Sequence, residues 1–204
     1  MSEYEFSVHP IGGIVPVMER HLYKDYAKIM LASIPHLPPN RPVHMFGCGH
    51  PMLFPMSIAL GADLFDSAAY ALFARDGRLL TPWGTQKIES LVEWPERMPC
   101  VAAHTPKDVR GMSIDEKTAL LARYNLEVTL SELDRCKQAI RDGTLWRLVE
   151  RRSHQHPALR EAFLWISTSP YNKKLDLQFL DELILDDRDA ARDRDQNAGK
   201  WEHA

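Results

Sequence analysis

The sequence has little of what marks secreted, membrane-spanning or strongly basic chains. It holds only three cysteines in 204 residues, an odd and scattered set that excludes the disulfide framework of a small secreted protein. It has no apolar run long enough to cross a bilayer, and its acidic start lacks the apolar core of a signal peptide. Its formal net charge of −3 excludes a chain that is basic throughout. We therefore expect a globular protein of the cytoplasm with no membrane partner.

The most informative segment is Arg41–Thr85, where two strand-like runs enclose a glycine-rich turn and a helix. The first run, Val43–Gly47, ends in a turn whose glycines allow backbone conformations that side chains forbid. Pro51 can then open a helix that Gly61 ends. The second run, Ala62–Asp66, follows at once, so the pattern predicts a strand, a helix and a parallel strand.

Asp66 falls at the carboxyl end of the second run, the position at which (β/α)8 barrels carry their reactive side chains. A carboxylate there can attack an oxocarbenium-like sugar carbon and later leave, which divides one difficult exchange into two easier steps. Aspartate is also common as a helix cap or turn residue after a strand. The residues alone leave both roles open.

Two stretches within this segment carry a specific resemblance. FGCGHPM at residues 46–52 and ADLFDSAAYALFARDGRLLT at residues 62–81 resemble the tRNA-guanine transglycosylases, in the wording of their archaeal, archaeosine-type branch. The likeness continues with lower fidelity from Gly12 to about Leu159. It implies an α/β fold, namely the C-terminal half of a TIM (β/α)8 barrel with added C-terminal helices.

The resemblance also implies a chemistry. In that family the matching aspartate attacks the ribose C1′, expels guanine and holds the tRNA as a covalent glycosyl ester until a 7-deazaguanine base displaces it. Asp66 is therefore the implied catalytic nucleophile of a pentosyltransferase, and the wording favours a preQ0-type incoming base. The open alternatives are a non-catalytic accessory or RNA-binding subunit, and a relative that acts on guanine in DNA.

Two further groups of site residues follow from the resemblance. The implied base-binding loop consists of Gly12, Gly13, Ile14 and Val15. Glycine permits the close backbone approach that a bound purine needs, although a Gly-Gly pair is also an ordinary loop signal. Arg75 and Arg78, shortly after the nucleophile, are the implied contacts to tRNA phosphates.

The chain departs from the family at the zinc site, which carries Cys-x-Cys-x-x-Cys and a later histidine. With Thr105-Pro106-Lys107 as the anchor, the four ligand positions fall on Glu96, Met98, Val101 and Tyr124. Cys100 and His104 lie nearby but have neither the number nor the spacing of a tetrahedral site. We therefore predict a degenerate zinc subdomain over residues 86–125, with no metal and no other cofactor.

A second departure is the extent of the barrel. A complete barrel takes ~250 residues, and the resemblance assigns residues 1–160 to its second half, so the family's second catalytic aspartate is expected on a partner. That partner is a second chain with the N-terminal half barrel, or another copy in a homo-oligomer. Residues 161–185 are predicted to form a helical extension, and residues 186–204 a charged, disordered tail.

Charge is unevenly distributed along the C-terminal part. Residues 135–160 hold seven Arg or Lys against two acids, whereas residues 176–195 hold eight acids against three arginines. The basic stretch suits a helical face that contacts tRNA phosphates. It equally suits a solvated helix whose arginines pair with acids three or four residues away. We interpret four other histidines as structural or exposed: His44, His50, His154 and His156.

Periodicity and turn signals predict the remaining elements. Residues 18–34 have helical spacing, and the turn at 75–78 predicts a hairpin over residues 70–81 above the barrel mouth. Residues 83–106 are expected to be extended or irregular. Ser113 and Glu116 form the pattern of a capping box for a helix to about Tyr124. Further helices are predicted from Thr129 or Ser131 to about 143, and over 145–152, 157–166 and 171–185.

Overall fold

The computed structural model describes residues 6–168. The strands in this range are β1 (His9–Ile11), β2 (Val43–Phe46), β3 (Leu64–Asp66), β4 (Arg78–Thr81) and β5 (Gly84–Lys87). The helices are α1 (Val15–Glu19), α2 (Tyr23–Ser33), α3 (Phe54–Ala59), α4 (Ala69–Arg75), α5 (Pro106–Arg110), α6 (Ile114–Arg141), α7 (Leu145–Ser153) and α8 (Pro157–Thr168). The predicted helix over 171–185, the acidic run over 176–195 and the tail over 186–204 lie outside the described residues. No helix in the described range is both long and apolar enough to span a membrane.

A three-stranded parallel sheet organises the first half of the chain. Its strand order is β1, β2, β3, and both neighbouring pairs are parallel. A 3-10 turn at Pro51–Leu53 and helix α3 connect β2 to β3, and Gly61 allows the chain to turn after the helix with a φ of +106°. The predicted strand, helix and parallel strand are therefore confirmed, and the fold is of the mixed α/β type.

One face of this sheet packs against helices, whereas the other carries exposed side chains. Side chains alternate across a strand, and Ile11, Val43 and Met45 enter a core that includes residues of α2, α3, α7 and α8. On the opposite face, the exposed fractions of Phe46 and Leu64 are 57% and 45%. Parallel sheets are normally covered on both faces. We refer to the side that carries Phe46 and Leu64 as the bare face.

Helix α8 belongs to the same core as the sheet. It packs against α2 and α7, and it buries Leu159, Phe163 and Ile166 in the cluster that also holds the inward residues of β1 and β2. The helix crosses position 160, at which the sequence suggested a change from barrel to extension. That division remains a prediction.

The helix predicted over residues 18–34 is divided into α1 and α2. The division falls at His21, which adopts a left-handed conformation with φ +55°. Its Nδ1 lies 2.8 Å from the Tyr23 hydroxyl, and its ring stacks on His156 with 4.7 Å between centroids. These contacts hold the break between α1 and α2 against His156, which precedes α8.

The hairpin predicted over residues 70–81 is wrong. Most of that stretch forms helix α4, in agreement with the helix propensity of its Ala and Leu residues. Gly77 ends the helix with φ +64°, and its N–H donates to the Ala74 carbonyl at 3.0 Å. The hairpin of this region instead joins β4 to β5, which pair antiparallel through a turn that includes Trp83.

The two helices predicted between Ser113 and residue 143 are one 28-residue helix, α6. The predicted capping box of Ser113 and Glu116 is confirmed at its start. The helix continues through Asn125 and Thr129 because their side chains do not disrupt the backbone. The Thr129 hydroxyl donates to the Asn125 carbonyl at 2.7 Å, while the Asn125 side chain accepts the Leu80 N–H of β4 at 2.7 Å.

The other secondary-structure predictions that fall within residues 6–168 are confirmed. Helices α7 and α8 confirm those over 145–152 and 157–166, and residues 83–106 contain β5, two 3-10 turns and loops. Shortly before the basic stretch, Glu132 is fully buried and accepts two hydrogen bonds from Arg152, at 2.7 and 2.8 Å, and one from Arg135 at 3.0 Å. Lys137 pairs with Asp134 three residues earlier. Arg135 and Lys137 thus pair with acids three residues earlier, as the alternative of a solvated helix expects, whereas Arg152 and Arg160 pair with the more distant Glu132 and Glu150.

Candidate active site

The loops that follow the three parallel strands meet at the carboxyl edge of the sheet. A Cβ at Gly47, whose φ is +84°, would lie 2.6 Å from Val15 Cγ2. A Cβ at Gly49 would overlap the Ser67 side chain. Glycine is needed at both positions because any larger residue would push these loops apart. The turn after β2 thus contacts the loop after β1 and the loop after β3.

Asp66 stands at this edge, and its side chain is 48% exposed. Its Oδ1 accepts the Gly47 N–H at 2.9 Å and lies 3.0 Å from His44 Nε2. Within residues 6–168, both polar contacts of this carboxylate fall on Oδ1 and none on Oδ2. The side chain is outside the packed interior, and one of its oxygens is open. A carboxylate in this arrangement can act as a nucleophile.

His44, which the sequence favours as a structural or exposed histidine, contacts the Asp66 carboxylate. It lies two positions before Phe46 on β2, so both side chains are on the bare face, and their rings meet edge to face with 5.8 Å between centroids. A signal for this contact was available in the sequence. The period of two along β2 and a parallel β3 place positions 44 and 66 on one face.

The predicted base-binding residues span the loop after β1 and the first residue of α1. A Cβ at Gly12 or Gly13 would meet no atom within 4 Å, and Gly13 has φ +72°. The backbone of this loop is therefore open, and position 13 favours glycine. Ile14 is fully buried, whereas Val15 is 38% exposed and lies beside Gly47. The loop therefore reaches the edge that carries Asp66, with Val15 as its exposed apolar side chain.

The two arginines predicted to contact phosphates differ in their surroundings. Arg78 lies 4.0 Å from the Phe73 ring centroid and donates to Asp76 at 2.6 Å, so its guanidinium is held in place. The Phe73 ring in turn meets the His50 ring, with 6.3 Å between centroids. Arg75 is exposed in the last turn of α4. In the described part of the chain, no polar contact joins either arginine to Asp66.

His50 and Cys48 support the turn after β2. The Nδ1 of His50 accepts the Met52 N–H at 3.2 Å, and its Nε2 lies 3.3 Å from Thr85 Oγ1. Burial, followed by the nearby His21, lowers the pKa of His50 to about 4, so this imidazole is neutral at pH 7. Burial raises the pKa of the Cys48 thiol to about 11. Cys48 is therefore a neutral thiol rather than a nucleophile.

Three of the four positions predicted to match the family's zinc ligands belong to a packed group, here named the Trp94–Tyr124 cluster. Its members are Trp94, Met98, Val101, Leu121 and Tyr124. The Tyr124 ring is fully buried 5.3 Å from the Trp94 ring, and its hydroxyl accepts the Glu96 N–H at 3.3 Å. An isopropyl group, a thioether, a neutral phenol and one carboxylate do not form a zinc donor set. Among residues 6–168, no group of three or more His, Cys, Asp or Glu side chains could hold a metal.

Cys100 and His104 take part in this region through their backbones. The Cys100 N–H donates to Glu127 Oε2 at 3.1 Å, and burial raises the pKa of the Cys100 thiol to about 12. The His104 carbonyl accepts the Trp94 indole N–H at 2.7 Å. Both residues therefore fasten the loop to its own core.

Comparisons with known proteins agree with this geometry. Residues 1–158 match the family model described as queuine tRNA-ribosyltransferase. The tRNA-guanine(15) transglycosylase of Methanocaldococcus jannaschii is 50% identical over 166 residues, which cover 80% of this chain and 25% of the relative. That of Thermococcus kodakarensis is 48% identical over 163 residues, covering 80% and 28%. That of Methanococcus aeolicus is 51% identical over 167 residues, covering 80% and 26%.

The chain spans about a quarter of the length of these curated relatives. The matched region nevertheless includes the whole parallel sheet, the turn after β2 and Asp66. The resemblance seen in the sequence is thereby confirmed, and the chain belongs to the queuine tRNA-ribosyltransferase family, the tRNA-guanine transglycosylases, in which it is similar to archaeal members.

Proposed function

We propose that this chain supplies the nucleophile-bearing part of a tRNA-guanine transglycosylase, a pentosyltransferase that replaces guanine in tRNA by a 7-deazaguanine base of the preQ0 type. One observation carries the proposal. Asp66 ends a parallel strand, its side chain is half exposed, and its carboxylate is anchored through one oxygen while the other is open.

The proposed reaction has two displacements at the ribose C1′. In the first, a lone pair of the Asp66 carboxylate forms a bond to C1′, and the electrons of the C1′–N bond leave with guanine, which gains a proton. In the second, a ring nitrogen of the incoming base attacks C1′ and gives up its proton, the ester bond breaks, and its electron pair returns to the carboxylate. A covalent intermediate of this kind divides the exchange into two easier steps.

The bare face of the sheet supports a partial barrel completed by another polypeptide segment. Phe46 and Leu64 are 57% and 45% exposed, and β1 and β3 each have only one strand partner within the described residues. Further barrel strands would cover these side chains and pair with the open edges. We propose that a second chain, or another copy of this one, supplies them together with the acid–base aspartate that the family resemblance implies.

Two groups of residues are proposed to contact the substrate. The open backbone of Gly12 and Gly13, with Val15 beside it, suits the flat face of a purine. Arg75 and Arg78 are proposed to contact tRNA phosphates, an interaction that weakens as salt rises. Arg78 is held by Phe73 and Asp76, so it loses less side-chain entropy on binding than the exposed Arg75.

A guanine-exchange assay on the assembled enzyme tests this proposal. The chain is tagged and purified with the polypeptide that completes its barrel, then incubated with a preQ0-type base and either tRNA or duplex DNA that carries labelled guanine. We expect release of label from tRNA and none from DNA. Release from DNA alone would contradict the tRNA assignment, and release from neither would contradict transglycosylase activity.

A further inference from the structure

The contacts around Asp66 single out one of its two oxygens. Two donors from β2 and its turn converge on Oδ1: the Gly47 amide at 2.9 Å and His44 Nε2 at 3.0 Å. The backbone amide is fixed by the left-handed turn at Gly47. His44 is therefore the only side chain in the described range that hydrogen-bonds to this carboxylate.

His44 lies on the bare face of the sheet rather than in the core. Its side chain is 23% exposed there. Its ring meets Phe46 at 5.8 Å, so the imidazole is supported on one side by an aromatic edge. When Nε2 carries the proton, the neutral ring donates to the carboxylate.

We infer that His44 is a positioning residue that presents Asp66 Oδ2 to the ribose and stabilises the carboxylate when it departs. This inference rests on the proposed function of Asp66. A carboxylate held through Oδ1 by two donors from one strand and its turn cannot rotate without losing a hydrogen bond, so Oδ2 is the oxygen that attacks.

The same contact acts in the second displacement. When the C1′–Oδ2 bond breaks, its electron pair returns to the carboxylate, and the negative charge spreads to Oδ1. Hydrogen bonds to an ionised acceptor are about twice as strong as those to a neutral one. His44 Nε2–H therefore stabilises the free carboxylate more than the ester, and it favours release of the sugar from Asp66.

Removal of His44 is therefore expected to change two measured quantities in opposite directions. Loss of orientation lowers kcat, whereas loss of the donor leaves the free carboxylate less stable relative to the ester. The ratio of covalent adduct to free enzyme at a fixed guanine concentration therefore rises. Damage to the fold would lower both quantities.

The test compares the assembled wild-type enzyme with His44→Phe, which keeps a ring without a donor, and with His44→Gln, which keeps a donor. Adduct is trapped by denaturation after incubation with tRNA and guanine, and exchange is measured in parallel. For His44→Phe we expect kcat to fall roughly 10- to 100-fold, with the KM for tRNA unchanged, and the adduct ratio to rise about 5-fold, from the loss of one hydrogen bond to a charged group. His44→Gln is expected to restore both values to near wild type.

Asp66→Asn separates failure of this inference from failure of the proposed function. If wild type forms no adduct, or if Asp66→Asn still does, the role of Asp66 fails and that of His44 fails with it. If wild type forms the adduct and Asp66→Asn does not, the proposed role of Asp66 stands, and the His44 variants then test the inference by themselves. An adduct ratio that falls together with kcat in His44→Phe, wild-type values for both, or a His44→Gln enzyme as impaired as His44→Phe would overturn the inference.

Discussion

The Asp66 edge and the Trp94–Tyr124 cluster differ in opposite ways. At the edge, two polar groups contact the carboxylate, but the sheet face around it is uncovered. In the cluster, the positions predicted to match zinc ligands hold no zinc donor set, but the side chains are covered by their own core. A site that performs chemistry needs particular atoms, whereas a structural metal site can be replaced by groups that fill the volume.

The cluster shows what such a replacement requires. A structural zinc stabilises a fold by joining loops through four ligands. Here the loop is joined to α6 by the buried Tyr124 ring against Trp94, and by hydrogen bonds from Glu96 N–H to the Tyr124 hydroxyl and from Cys100 N–H to Glu127 Oε2. Aromatic burial and these polar contacts connect the loop to α6 without a zinc donor set at the predicted ligand positions.

The largest expected effect of any substitution is at the edge. Asp66→Asn keeps the size of the side chain but removes its charge, so guanine exchange by the assembled enzyme is expected to fall by roughly 10³-fold or more, as for loss of a nucleophile. Asp63→Asn is the matched control, because the one hydrogen bond of the Asp63 carboxylate within the described residues is accepted from the Val43 N–H through Oδ2. Comparable activity losses in the two variants would remove the distinction between them.

The next effect concerns the cluster. Tyr124→Ala is expected to lower the free energy of unfolding of the chain by about 3–5 kcal/mol, because it leaves a cavity under the Trp94 ring. Tyr124→Phe loses only the hydroxyl and is expected to cost about 1 kcal/mol. Urea unfolding followed by circular dichroism measures both. A small effect of Tyr124→Ala would mean that something other than this packing holds the loop.

The two faces of β2 provide an internal comparison of neighbours. Met45 is fully buried and Phe46 is 57% exposed, so Met45→Ala is expected to cost about 2–5 kcal/mol and Phe46→Ala less than about 1 kcal/mol in the isolated chain. The same urea titration applies. In the assembled enzyme, Phe46→Ala is expected to weaken association with the completing half. Equal costs in the isolated chain would show that the face is already covered.

The smallest expected effect is that of metal removal. Treatment with a strong zinc chelator is expected to shift the Tm of the chain by less than about 1 °C. Removal of zinc lowers the stability of a protein whose folding is coupled to the metal, but the side chains at the cluster positions do not form a zinc site. Differential scanning fluorimetry with and without chelator provides the measurement. A clear fall in Tm, restored by added zinc, would contradict a metal-independent cluster.

The sequence was most predictive where one local pattern determined the structure. The glycine turn and the run to Asp66 predicted the parallel strands, and Ser113 with Glu116 predicted the start of α6. It failed where distant contacts decided the outcome. Asn125 is used to bind β4 rather than to end a helix, and a turn-like sequence after α4 is followed by a hairpin whose second strand is further along the chain.

The site was likewise only partly predictable. Asp66 and the loop beside it followed from a motif, but the contact between positions 44 and 66 depends on the register of two strands, which is a property of the folded sheet. The side chain of Ile14 turned out to be buried although its neighbours are open. Such differences arise from packing, which a motif does not encode.

The most direct test of the central claim is to locate the covalent bond between enzyme and tRNA. The assembled enzyme is trapped with its tRNA, digested with nuclease and protease, and the ribosylated peptide is sequenced by mass spectrometry. We predict a single modified residue, Asp66, in the peptide that contains Phe65-Asp66-Ser67. A ribosyl group on any other residue of this chain or of its partner would contradict the account.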